Sequence, residues 1–173
     1  DDAGNPIVVV ATGYALYYTD APTATSPQVF ELVRIKNIDS LLSGQPIVGG
    51  DGALYYIDGP NVVRLTWSNG AIITEVIGPD SLSRADIPWD GVPLEASGDV
   101  TAICESLQHA AIYVAKGGLA ASRNARIYRY DLNTGVWNCF YRHATAQRAI
   151  TAMIEFNDDL HVGIEQSTTR GGD

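Results

Sequence analysis

The sequence predicts an all-β fold, and three observations lead to it. Acids are 14 Asp against 6 Glu and bases 9 Arg against 2 Lys; helices favour Glu and Lys, whereas Asp favours turns. Nine tyrosines and three tryptophans, with many Val and Ile residues, suit pleated sheet. No glycine-free segment keeps a 3.6-residue period beyond two turns. Instead, Ile7-Val8-Val9-Val10-Ala11 and Ala111-Ile112-Tyr113-Val114-Ala115 run without polar alternation. Such strands need both faces covered.

Taken in order, the strands fall into repeated units. Val100-Thr101-Ala102-Ile103-Cys104-Glu105 matches Ile150-Thr151-Ala152-Met153-Ile154-Glu155 at an offset of 50. A second apolar strand follows each, Ile112-Tyr113-Val114 and Leu160-His161-Val162. The first copy continues through Arg126–Asp131, a turn at Asn133-Thr134-Gly135, and Val136–Tyr141. The N-terminal half fits the same template, with second strands at Leu16-Tyr17-Tyr18 and Leu54-Tyr55-Tyr56. Third strands are expected at Val29–Ile35 and Val62–Trp67, and a fourth at Ala71–Ile77 after the hairpin signal Asn69-Gly70. No fourth strand is evident in the first unit, where Asn37–Gly44 suits a short helical turn.

Second strands beginning at Leu16, Leu54, Ile112 and Leu160 lie 38, 58 and 48 residues apart. Four-strand units recurring at this interval predict β-propeller-like blades. The expected division is blade 1 at 7–46, blade 2 at 47–78, an insertion at 79–98, blade 3 at 99–143 and a partial blade 4 at 149–173. About three and a half blades do not close a ring with protected edges. The chain also begins at Asp1 with Met153 as its only methionine, and so reads as processed or as a piece of something longer. Further blades, a second chain or an open stack would each complete it.

The third unit carries Gly117-Gly118 after its second strand, then Tyr130, six residues, and Trp137. In this it resembles the kelch repeat over about 45 residues. The resemblance implies that the tyrosine and tryptophan pack between blades. It also implies a role as an interaction platform, as in extracellular or viral assemblies such as phage tails. The fourth unit has Val162-Gly163-Ile164 where the glycine doublet would stand.

Length and charge set the outer limits. A chain of 173 residues with 46% hydrophobic content builds one ordinary domain and is too apolar for disorder. No apolar run approaches the roughly 20 residues of a membrane span. A net charge of −9 speaks against a nucleic-acid surface. All of that excess lies in residues 1–120, while residues 121–173 balance. There, Arg123, Arg126, Arg129, Arg142 and Arg148 meet only Asp131, a local basic stripe suited to an acidic protein neighbour or another copy of this chain.

Other candidates are weighed against plain packing. Glu105 and Glu155 share one repeat position on innermost strands, so both are expected at a central channel. Paired carboxylates there would suit a cation or glycosidase chemistry, although no S-x-D-x-G-x-T-W turn of the sialidase type is present. Trp89, in the proline-flanked stretch Ile87–Pro93, is either a contact anchor for protein or sugar or the cover of a blade edge. Cys104, His109, Cys139 and His143 lack zinc spacing. Cys104 on the innermost and Cys139 on the outermost strand would stand roughly 14 Å apart, too far for a disulfide. There is no G-x-S-x-G, H-E-x-x-H or phosphate loop. Nor do three scattered histidines match the copper-radical kelch oxidases. The expected function is therefore a structural or protein-interaction module with no catalytic residues, metal or cofactor, in a virion or extracellular assembly. The alternative is a carbohydrate-binding or carbohydrate-active propeller.

Overall fold

The computed structural model describes residues 8–11, 15–19, 33–37, 46–79, 99–117, 124–146 and 148–166. Every regular element among them is a strand. The first sheet holds β1 (Val8–Ala11), β2 (Ala15–Thr19) and β3 (Val33–Asn37). The second holds β4 (Ile47–Val48), β5 (Leu54–Asp58), β6 (Asn61–Ser68) and β7 (Ala71–Gly78). The third holds β8 (Val100–Ser106), β9 (Ala111–Lys116), β10 (Asn124–Asp131) and β11 (Trp137–Ala146). The last is a hairpin of β12 (Arg148–Phe156) and β13 (Asp159–Gln166). Within each sheet the spatial order follows the chain and all pairing is antiparallel. Four meandering sheets of this kind form a propeller-like, all-β fold.

The turns explain why the chain meanders. Asn69 and Gly70 take φ of 52° and 78°, the double left-handed turn whose twist matches a hairpin. Asp131 caps the β10–β11 turn, its Oδ1 accepting from the amides of Asn133 and Thr134 at 3.0 Å. The third strand of the first sheet is described over Val33–Asn37, and residues 29–32 of the expected span lie outside the described residues. Strand β11 runs on to Ala146, past the expected blade boundary. Residues 38–45 and 80–98, including Trp89, lie outside the described residues.

Unbroken apolar strands are covered on both faces by stacking of the sheets. Along β5, Leu54 and Tyr56 turn toward the first sheet and pack with Leu16, Val63 and Leu65. Tyr55 and Ile57 turn the other way, meeting Val100, Ile112, Val114 and Trp137 of the third sheet. Along β9 the alternation repeats: Ile112 and Val114 face the second sheet, and Tyr113 and Ala115 face Ile150 and Met153 of the fourth. Each layer buries several aliphatic or aromatic side chains at roughly 1.5–3 kcal/mol each.

Polar contacts fix the stacking angle. The Trp137 indole N–H donates to the Ile77 carbonyl at 2.6 Å and, with its ring 5.0 Å from Tyr130, fills the second-to-third junction. This is the interblade packing expected of that pair. Lys116, fully buried, donates from Nζ to the carbonyls of Pro60 and Pro79. At the next junction Thr101 Oγ1 donates to the Ile150 carbonyl at 2.6 Å. Cys104 and Cys139 form no disulfide and stand on opposite edge strands of the third sheet, as the strand order requires.

Candidate functional site

Register pairs a tyrosine with an arginine in three sheets, and in the second and third sheets their side chains build a polar station at the blade junction. Tyr17 pairs with Arg34, Tyr55 with Arg64, and Tyr113 with Arg129, each on the second and third strands of its sheet. In the second sheet the turn before the tyrosine adds Asp51, and in the third the same turn position holds His109. Each turn is closed by a backbone hydrogen bond across four residues, Gly52 N donating to Gly49 O at 2.8 Å and Ala110 N to Leu107 O at 3.4 Å. From the following sheet a glutamate meets each of these two: Glu105 at the Tyr55–Arg64 station, the first, and Glu155 at the Tyr113–Arg129 station, the second.

The first station is closed by its own residues. Arg64 Nη2 donates to Asp51 Oδ2 at 2.7 Å and its Nε to the same oxygen at 3.2 Å, while the Tyr55 hydroxyl donates to it at 2.8 Å. A Cβ on Gly49 would stand 2.6 Å from the Tyr55 ring and 2.8 Å from Asp51 Oδ1, so only glycine leaves room for the cluster. Burial alone would push the Asp51 carboxyl up. Hydrogen bonds from Tyr55, Arg64 and the Ala53 amide outweigh it and hold Asp51 below the usual carboxylate range. Glu105 Oε1 lies against Gly50, shielded from solvent and without a hydrogen-bond partner. Burial first, then the charges of Asp51 and Glu155, push its carboxyl up.

The second station is arranged differently. Glu155 Oε1 accepts from the Ser106 hydroxyl at 2.8 Å and lies 3.0 Å from His109 Nδ1. Ser106 Oγ in turn accepts from the His109 amide at 3.0 Å. A serine, a histidine and a glutamate in contact suggest a nucleophilic triad, but the geometry is wrong for one. Hydroxyl and carboxylate both meet Nδ1, where a triad places them on opposite ring nitrogens, and Ser106 is fully buried. The serine therefore positions Glu155. Burial also pushes the Cys104 thiol up, which suits a packing residue rather than a reactive one.

Arg129 has no carboxylate in the position that Asp51 fills for Arg64. Its Nη2 donates to the His109 carbonyl at 3.2 Å and to Asp131 Oδ2 at 3.3 Å, and its Nε has no partner. A cleft of about 200 Å³ opens here, lined by His109, Tyr113, Arg129, Phe140, Glu155 and Asp158 together with Leu160.

The predicted site residues are thus distributed unevenly. Glu105 and Glu155 do occupy equivalent positions, each turned back on the preceding sheet. The arginines do not form one surface stripe: Arg126 is buried, Arg129 is half-buried in the cleft, and Arg142 is exposed. Arg123 and Trp89 fall outside the described residues. Sequence reasoning missed the Tyr–Arg stations because their separations of 17, 9 and 16 residues share no period; only register aligns them.

A second feature lies on the fourth sheet. In β8, Ala102, Cys104 and Ser106 are buried beneath the hairpin. Their counterparts in β12 are Ala152, Ile154 and Phe156, with Ile154 62% and Phe156 63% exposed. Among the described residues no strand pairs with the outer edge of β13.

Comparison with protein families, with curated proteins and with solved structures gives no match. No helix among the described residues is long and apolar enough to cross a membrane.

Proposed function

We propose that this chain is a structural, protein-interaction module of a larger assembly, without chemistry of its own, and that it takes its neighbour on the outward face of the β12–β13 hairpin. One observation carries the reading: the face that is covered by the next sheet at the preceding junction is bare and apolar here. An apolar stripe beside a strand edge left unpaired among the described residues is a liability that proteins normally cover. Burying the exposed parts of Ile154 and Phe156 contributes about 2–4 kcal/mol to association. The neighbour is then another blade-like sheet, most simply from a further copy of this chain. The kelch likeness of the third unit supports the same reading, since such scaffolds serve as platforms in virion, tail and extracellular assemblies.

Native mass spectrometry beside a denaturing intact mass tests it. The chain is expected to appear in multiples of its subunit mass, and the Ile154→Asp/Phe156→Asp variant to appear as single subunits with an unchanged circular dichroism spectrum. Wild-type protein that stays a single subunit up to about 100 µM, a concentration sufficient for even weak interfaces, would count against it.

A further inference from the structure

We propose that the cleft between the third and fourth sheets binds a single neutral sugar ring. The Tyr55–Arg64 and Tyr113–Arg129 stations differ at one turn position. At the first, Arg64 is bound by Asp51 and the junction is filled from within. At the second, His109 stands in the place of Asp51, so Arg129 is held through Nη2 alone, by the His109 carbonyl and Asp131, and its guanidinium lines an open cleft.

The lining selects the ligand class. Glu155 and Asp158 bring two carboxylates, which repel an anion, while the Arg129 guanidinium, although paired with Asp131 at 3.3 Å, keeps positive charge on the wall and makes it a poor cage for a cation. Both kinds of group are satisfied by hydroxyls, which donate to the carboxylates and accept from the guanidinium and the Tyr113 hydroxyl. His109, whose Nδ1 lies 3.0 Å from Glu155 Oε1, offers its Nε2 as a further polar partner for a hydroxyl. Ser106 holds Glu155 in place from behind. The apolar face of a sugar ring needs an exposed aromatic. Phe140, 53% exposed and set edge-to-face against Tyr113 at 5.0 Å, supplies it, with Leu160 opposite. A volume of about 200 Å³ is below that of sites for drug-sized ligands, so one ring and not a chain is enclosed. This site is independent of the docking face, because it lies on the inner side of the hairpin.

The test is a two-dimensional amide NMR titration of the intact chain with D-glucose, D-galactose, D-mannose and N-acetylglucosamine. D-glucuronate and glucosamine serve as charged counterparts. One neutral sugar is expected to shift the amides of His109, Tyr113, Arg129 and Phe140 with a dissociation constant in the roughly millimolar range. The charged analogues should bind more weakly, and Phe140→Ala should weaken binding about tenfold, or 1.4 kcal/mol. Phe140 is exposed, so this variant keeps the fold, and the dispersion of the same spectrum verifies that. The inference is overturned if no neutral sugar shifts those amides at about 50 mM, if glucuronate binds better, or if Phe140→Ala leaves the affinity unchanged.

Discussion

Asp51 and Glu105 face each other across the second junction and respond to acid in opposite ways. The carboxyl of Asp51 is held below its ordinary value, so its contribution is complete above that value and is lost as pH falls through the depressed one. Glu105 titrates above its ordinary value. Its contribution is complete below that ordinary value and is lost as pH rises through the raised one. At neutral pH the folded state therefore carries a shielded carboxylate oxygen with no partner, beside a like charge. Glu105→Gln removes that charge and is expected to raise the thermal midpoint at pH 7, by roughly 1–3 °C for a chain of this size. The gain should shrink toward pH 4; an equal gain at both pH values would show that the charge is not its cause. Tyr56, buried beside Asp58, is pushed up to about 12 and stays neutral over this range.

At the scale of an element, the turns between first and second strands do the same job with different residues. In the three described turns the equivalent position is left-handed, with φ of 77° at Gly52, 45° at Ala110 and 69° at Asp158. Alanine is the costly choice, since its Cβ crowds the following carbonyl by about 1–2 kcal/mol. Ala110→Gly is expected to stabilise the chain by about 0.5–1 kcal/mol, less whatever the freer unfolded glycine gives back. Chemical denaturation reads it directly, and a loss of stability would mean that the turn is not strained. At β11, Trp137→Phe keeps the ring but leaves the Ile77 carbonyl without its donor. The expected loss is about 1–2 kcal/mol. Trp137→Ala opens a cavity between the sheets, at about 3–5 kcal/mol. If both variants cost the same, the indole hydrogen bond and not the packing carries the junction.

At the scale of the molecule, the sheets stack through three apolar layers in which each blade covers the one before it. The fourth sheet extends that rule one step further by presenting Ile154 and Phe156 outward. Assembly through this face depends on the whole surface and on no single bond. Much of this was legible from the residues. Asparagine–glycine and aspartate-rich turns, unbroken apolar strands and the 50-residue echo of Val100–Glu105 at Ile150–Glu155 set strand type, order and equivalence. These are local properties, governed by backbone sterics and by which side chains tolerate two buried faces. The recurring tyrosine and arginine were equally present in the chain, yet their variable spacing hid them. Pairing across a sheet depends on register, and register depends on where bulges and loops of unequal length fall. The arginine stripe dissolved for the same reason: neighbours in sequence alternate between faces, so Arg126 went inside and Arg129 reached a cleft. Sequence by itself determined that this protein is a series of antiparallel sheets with matching positions. Only tertiary structure decided which side chains meet between them, because those contacts arise from the stacking of one sheet on the next.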